Sequence, residues 1–287
     1  MRRNPAGVAW IRAPIAAVAM VGSNRVAGSR FVFDPRGIAD VELGLRGIRR
    51  GGLRALERSA LRRAGMVVAT TPEFGDWLTS RGARSISVLP NCAEPIPRRT
   101  PPVSSGLRVI YSGSAEPWQA NEDAAAWIAA LREIADRPVF ATALLRGTDD
   151  PGPLAESADE VILDGARELV CDRLSQAHVG VNMVLPQWNK VVAAYPVKAA
   201  EYAAAGIVLL VNWDLPVHAR LTAGGRLGCL VPLDVRTLST AALRRVWDDL
   251  VRLAAAPEGA DLFPRGWRTV EEGGADIARL VAGLPAS

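Results

Sequence analysis

At 287 residues, with 49% hydrophobic and 22% charged residues, the chain is long enough for two domains and has the composition of an ordinary soluble globular protein. Cys92, Cys171 and Cys229 are isolated, with no Cys-x-x-Cys, which argues against a disulfide framework or structural zinc and makes a reducing cytosol the default. No run approaches the ~18 apolar residues that span a bilayer, and Arg12 and Pro14 interrupt the signal-like start, so secretion is disfavoured.

The net charge of +4 hides an asymmetry. Residues 1–100 carry 17 arginines against 7 acids, and the remainder 17 basic against 23 acidic groups, which suggests two bodies with different partners. Only Lys190 and Lys198 are lysines among the 34 basic residues, and they lie close together.

In chain order, Arg30-Phe-Val-Phe-Asp34 reads as a short buried strand followed by the charged loop Asp34-Pro-Arg-Gly37. Leu53 to Ala64 has helical periodicity with Leu53, Leu56, Ala60 and Leu61 on one side. Met66 to Thr70 is a predicted strand. Thr71-Pro72-Glu73 then caps a helix reaching about Arg81, and Ser85 to Leu89 is another strand. About three strands therefore precede Pro95 to Ser105, whose four prolines mark the best linker candidate.

Beyond it the pattern restarts with a strand at Leu107–Tyr111, the turn Ser112-Gly-Ser114 and a helix from about Asn121 to Ala135. Strands are expected at 139–145, 160–163, 179–184, 207–211 and 228–231, with helices near 166–177, 196–205, 236–255 and 270–284. Strands alternating with helices imply parallel βαβ units, with ligands at the carboxyl ends of the strands. The expected organisation is a first domain at 1–94, a linker at 95–106, a second domain at 107–262 and a C-terminal helix within 263–287. The first domain is the candidate partner of that helix.

The segment Tyr195-Pro-Val-Lys-Ala-Ala-Glu-Tyr-Ala-Ala-Ala-Gly206 stands out. Pro196 suits the first turn of a helix, the alanines favour helix, and Gly206 is a natural stop before an apolar strand. Lys198 and Glu201 are three apart, so they share one helix face near the positive N-terminus. A cation, a carboxylate and free amides there suit a phosphate and a ribose diol; the bland alternative is a surface Lys–Glu pair.

Leu89-Pro-Asn91, Val109-Ile-Tyr-Ser-Gly-Ser114, Trp118-Gln119 and Pro196-Val-Lys-Ala-Ala-Glu-Tyr202 with Gly206 occur in order, preceded by Asp34-Pro-Arg-Gly37 and Glu42. This pattern resembles the large group-one family of retaining GT-B glycosyltransferases over about residues 30–255, most strongly in the second domain. The resemblance implies an α/β chain of two Rossmann-like domains, the second binding a nucleotide-diphosphate sugar. Glu201 would take the donor ribose hydroxyls. Lys198 and the helix start at Tyr195 and Pro196 would lie beside the diphosphate or sugar, and Gly113 and Ser114 match the family's glycine loop. Asp34, Arg36 and Glu42 are acceptor-side candidates. The implied reaction is metal-independent transfer to an unknown acceptor with retention. It needs no cofactor and no protein nucleophile, because the leaving diphosphate takes the acceptor proton, so no catalytic base is assigned.

The sequence departs from the family pattern in three places. Ala193 stands where many members have a glutamate eight residues before the one matching Glu201. No basic pair follows the glycine loop in Ala115-Glu-Pro-Trp118, so Arg146, Lys190 or Lys198 would have to neutralise the diphosphate. The family usually has six or more strands before the linker, so the first domain reads as abbreviated. The alternative function is therefore a non-catalytic or partner-dependent subunit, with a partner chain completing the first domain.

Other constellations are weaker. His178 at the edge of a strand reads as structural, and His218 in a loop is unassigned; neither has neighbours at metal-ligand spacing, and no metal site is expected. There is no Gly-x-Ser-x-Gly elbow and no Walker A motif. The arginines from Arg46 to Arg63, with leucines between them, read first as a solvated helix face and second as a contact for an anionic membrane surface. Nucleic acid is not an expected partner, since no aromatics are interleaved for stacking. The expected location is cytoplasmic, peripheral to the membrane if the arginine segment binds lipid.

Overall fold

The computed structural model describes residues 8–12, 31–42, 45–114, 116, 118–147, 150–187, 195–223, 227–256 and 270–284. These divide into two compact units. The first takes the described residues up to Asn91, Tyr195 and the last helix, Val270–Ala282; the second takes those from Cys92 onward, Pro196 onward and up to Ala256.

The first unit alternates strands and helices: β1 (Ala9–Ile11), β2 (Phe31–Phe33), α1 (Ala39–Glu42), α2 (Gly47–Arg63), β3 (Met66–Ala69), α3 (Pro72–Ser80) and β4 (Ile86–Val88). The four strands form a parallel sheet in the order β1-β2-β3-β4. Its core holds Phe31, Phe33, Ile38, Leu61, Val67, Phe74 and Leu78. The three strands expected from the sequence are joined by a fourth, β1, inside the stretch that reads as signal-like; three residues are too few to carry a period. The Thr71 hydroxyl accepts from the Phe74 amide at 3.1 Å, and Pro72 fills the first position of α3, as its sequence dictates.

Helix α2 begins at Gly47, earlier than its apolar pattern indicates, and its buried stripe is Leu53, Glu57, Ala60 and Leu61. Leu56, expected inside, is 46% exposed, whereas Glu57 is 2% exposed. The stripe at spacings of four, three and one carries the carboxyl inward with three apolar neighbours. Burial, and secondarily the charge of Asp40, pushes the Glu57 carboxyl up to about 7, with Arg81 and Arg54 opposing. Asp40 is itself buried and accepts from Arg50 Nε at 2.6 Å and Arg54 Nε at 2.8 Å.

The second unit contains β5 (Leu107–Ser112), α4 (Asn121–Ile134), β6 (Val139–Leu145), α5 (Gly152–Ser157), β7 (Glu160–Leu163), α6 (Arg167–Gln176), β8 (Val179–Asn182), α7 (Val197–Ala204), β9 (Val208–Asn212), α8 (Pro216–Thr222), β10 (Gly228–Val231) and α9 (Thr240–Ala254). Its six parallel strands run in the order β10-β9-β8-β5-β6-β7. Strands β8 and β9 are buried along their whole length, as parallel strands covered on both faces must be. Helices α5 and α8 fill stretches for which the sequence suggested no helix or strand, so His218, expected in a loop, lies on a helix. The core gathers Leu107, Val109, Trp127, Leu131, Val181, Leu210, Trp247 and Leu250.

The proline-rich stretch expected as a linker lies along the second unit. Ile96 N donates to Ala204 O at 3.1 Å, and Arg99 N to Ser175 O at 2.8 Å. Thr100 Oγ1 donates to Ser175 O, and Arg98 Nη2 to Ala254 O. Prolines remove donors, and the residues between them supply the bonds that dock the strand-like segment. His178, fully buried, accepts at Nδ1 from Arg108 N at 2.9 Å and so donates from Nε2 to Pro101 O at 2.8 Å. Burial lowers its pKa, which keeps the ring neutral in this structural role.

Because the folded Glu57 carboxyl titrates near 7 rather than at its ordinary 4.5, the folded state binds its proton more tightly. The stability it lends is complete below the ordinary value and is lost as pH rises through 7. Glu57→Gln is therefore expected to exceed the parent in stability at about pH 8 by about 3 kcal/mol, with the difference vanishing near pH 4; urea melts at both pH values check this.

Candidate functional site

The order of the second sheet reverses between β5 and β8. From β5 the chain steps outward through β6 to β7, then returns to β8 and steps the other way to β9 and β10. Neighbouring loops at the carboxyl ends of β5 and β8 therefore diverge, which opens the crevice where doubly wound sheets take their ligands.

Four segments meet at that edge. Strand β5 ends at Ser112 and turns through Gly113 and Ser114. Gly113 N donates to Leu144 O at 2.9 Å, and the Ser114 side chain is buried. Asn121, opening α4, accepts from Tyr111 Oη at 2.5 Å and donates to Ser114 O at 3.2 Å, which fixes the turn. The chain just beyond is stitched to the end of β8: Gln119 pairs antiparallel with Val184, and Leu185 N donates to Trp118 O at 3.0 Å. Asn212 at the end of β9 holds Val184 from the other side. Its Oδ1 accepts from Val184 N and its Nδ2 donates to Val184 O, both at 3.0 Å.

Helix α7 stands over the switch point. Pro196 is its N-cap rather than its first residue, and Gly206, at φ +65°, ends the turn after it. Lys198 Nζ donates to Gln119 Oε1 at 2.6 Å and lies 5.0 Å from the centre of the Tyr111 ring. One turn later Glu201 Oε1 accepts from Arg167 Nη1 at 3.0 Å, and Arg167 also faces Glu94 at 3.9 Å. The bond to Glu201 raises the Arg167 pKa. Tyr202, fully buried, accepts from Ser112 N at 2.8 Å and donates to Val181 O at 3.3 Å. Its ring fills the space over Gly180, where an added Cβ would lie 2.4 Å from a ring carbon. Burial raises the Tyr202 pKa well above the ordinary phenol value, so the hydroxyl keeps its proton.

The structure thus brings Gly113, Ser114, Lys198 and Glu201 to one sheet edge. Arg146, at the end of β6, faces Glu116 at 3.9 Å and is largely exposed. Tyr195 belongs to the first unit, where its carbonyl accepts from Asn91 Nδ2 at 2.6 Å. In that unit Asp34 is buried and accepts from Trp10 Nε1 at 3.1 Å, and Arg36 Nε lies 2.9 Å from its carboxylate. Arg36 Nη1 donates onward to Asn91 Oδ1 at 2.8 Å. Lys190, position 193 and the side chain of Glu42 lie outside the described residues.

Sequence reasoning missed Arg167, Asn121, Asn212 and His218. Arg167 opens a helix directly after a strand, a position that faces the carboxyl edge of a βαβ sheet, and that was the available signal. His218 is buried beneath the end of β9. Its Nδ1 donates to Asn212 O at 2.7 Å, and Nε2 therefore accepts from Asn182 Nδ2 at 3.1 Å. Burial pushes its pKa down to about 4, so the ring stays neutral and holds Asn212 against Val184.

A two-unit α/β chain whose second sheet reverses order above such a crevice has the Rossmann-like fold of GT-B glycosyltransferases. Solved structures bear this out over almost the whole chain. HepE from Anabaena in complex with UDP matches with a TM-score of 0.68 at 15% identity, covering 97% of this chain and 79% of that one. A UDP-forming α,α-trehalose-phosphate synthase from Burkholderia vietnamiensis matches with a TM-score of 0.64 at 14% identity, over 99% and 73%. Sucrose-phosphate synthase from Thermosynechococcus elongatus matches with a TM-score of 0.62 at 13% identity, over 96% and 73%. At these identities the likeness is one of fold. Neither a family model nor a curated relative matches the sequence.

Two expectations follow from the buried groups. Tyr202→Phe leaves the Ser112 amide without its acceptor and is expected to cost about 1–3 kcal/mol in urea melts. His218 is held neutral when folded and titrates near its ordinary 6.5 when unfolded. Its contribution is present above pH 6.5 and is lost as pH falls toward 4. His218→Gln is expected to flatten that part of the melting-temperature profile between about pH 7 and pH 4.

Proposed function

We propose that the second unit binds a nucleotide-diphosphate sugar and that the chain transfers the sugar to an acceptor, with retention and without a metal cofactor. The observation that carries this reading is the juxtaposition at the switch point of a helix N-terminus, Lys198, Glu201 and the Gly113–Ser114 turn. The HepE structures hold UDP and UDP-glucose, by their own description, which makes uridine nucleotides the first ligands to test.

In this reading Glu201 accepts from the two ribose hydroxyls, with Arg167 Nη1, 3.0 Å from its carboxylate, holding it in place. The amides opening α7 from Val197 onward, with Lys198, stabilise the diphosphate as it takes up negative charge, and Arg146 is a second cation for it. The bond from the sugar's anomeric carbon to the diphosphate oxygen breaks as the bond to the acceptor oxygen forms. The acceptor's proton passes to the departing diphosphate, so no protein base is assigned. Arg36, Asp34 and Glu42 are the proposed acceptor-side groups of the first unit, with Asp34 fixing the Arg36 side chain. The proposed location is cytoplasmic; no helix among the described residues is long and apolar enough to cross a membrane.

A second reading is a partner-dependent subunit that binds the nucleotide sugar without turning it over. It is favoured by the stretch between Ser114 and Trp118, which supplies no cation where the family usually has a basic pair. Calorimetric titration with UDP and UDP-glucose, followed by turnover assays on the purified chain with and without candidate acceptors, separates the two. Binding is expected, and Glu201→Ala is expected to weaken it by about 1–3 kcal/mol. Unchanged affinity in that variant would overturn the role of Glu201, and binding without turnover would assign the second reading.

A further inference from the structure

The charge on α2 has a definite geometry. The helix buries Leu53, Glu57, Ala60 and Leu61 against the first sheet, and its single carboxylate, Glu57, goes inside with them. Arg50 and Arg54, on the flank beside α1, are both taken by Asp40. Arg46, Arg49, Arg58, Arg62 and Arg63 are exposed, and among the described residues no carboxylate pairs with any of them. The charged groups that the helix exposes are thus all cationic, although the first unit has acids elsewhere that could have been interspersed.

The same face carries apolar groups where solvent alone would favour polar ones. Ile48 is 95% exposed and Leu56 46% exposed, with Ala55 also outward. Gly51 and Gly52 lie between Ile48 and Ala55, and nothing stands within 4 Å of a side chain added at either. Two glycines in mid-helix weaken it, yet here they leave bare backbone open to the outside between guanidinium groups. Arginines whose heads reach outward around a few shallow apolar side chains are the arrangement that interfacial helices use at anionic headgroups. Nucleic acid fits less well, because none of the outward residues of α2 is an aromatic on which a base could stack.

We propose that the outward face of α2, from Arg46 to Arg63, is a docking surface for an anionic lipid bilayer. Attraction of the five unpaired guanidinium groups to lipid phosphates supplies most of the binding. Ile48, and to a lesser extent Leu56, enters the headgroup layer. Because the attraction is between exposed charges, it is screened by salt.

The test is flotation of the full chain with vesicles of phosphatidylcholine alone and of an equal mixture of phosphatidylcholine and phosphatidylglycerol, at low and high salt. The chain is expected to float with the mixed vesicles at low salt, and to be released from them at high salt and from neutral vesicles throughout. Arg49→Glu/Arg58→Glu/Arg63→Glu is expected to lose at least roughly tenfold in vesicle affinity, with its melting temperature unchanged as the control for folding. Ile48→Ser is the second variant, expected to weaken binding by a smaller factor while keeping the salt dependence. Equal flotation with both vesicle types, no flotation with either, or retained affinity in the charge-reversed variant would overturn the proposal. Duplex DNA that displaces the chain from vesicles at matched phosphate concentration would also overturn it, in favour of a nucleic-acid surface.

Discussion

The Tyr202 ring lies where a side chain on Gly180 would stand, and its hydroxyl closes on the Ser112 amide at the end of β5. This contact joins α7 to both strands of the switch point, because Gly180 is in β8 and Ser112 in β5. The angular position of α7, and with it the direction of Lys198 and Glu201, depends on a ring too large to shift and a strand residue too small to obstruct it. The cost of burying a phenol is offset by two hydrogen bonds to backbone groups. The pair Glu201-Tyr202 thus divides its labour between adjacent residues: one side chain faces the crevice, and the next anchors the helix beneath it.

A second layer holds the opposite wall. His218 fixes the backbone of Asn212, Asn212 clamps both polar groups of Val184, Val184 pairs with Gln119, and Gln119 receives the Lys198 ammonium. Each member is buried or close to it and each has its partners, the condition under which a polar network makes a core more specific rather than weaker. The network runs from an α8 histidine with no evident role in the sequence to the cation most clearly marked there. Rigid support of this kind lets short polar side chains hold a charged group at a defined place.

How much of this was legible depends on the range of the interactions. Helix α7, its stop at Gly206 and the βαβ rhythm of the second unit are local, and period and caps reveal them. The Arg167–Glu201 pair joins residues 34 apart, and the Lys198–Gln119 bond spans 79, so no spacing rule marks either. The reading of α2 failed for a different reason. Both Leu56 and position 57 are compatible with an apolar stripe through Leu53 and Ala60, and sequence favours the leucine. The fold chose Glu57, which burial and Asp40 make unusually easy to protonate, and left Leu56 outside. The hydrogen bonds that run the proline-rich stretch along the second unit were not legible either, because prolines signal irregular backbone without saying whether it is tethered. Strand β1 was hidden in a run whose composition suggested a leader.

The first unit is discontinuous in sequence, since its last helix, Val270–Ala282, comes after everything in the second. The second unit, by contrast, has its sheet and covering helices complete by Ala254. The first unit's core cluster of buried residues also draws only on Ile11 to Ala83, so during synthesis each sheet can close around its own core before the last helix is made. Loss of that helix would therefore leave both of these cores standing. The two halves of the molecule thus differ in charge while each keeps a core made from one continuous stretch of chain.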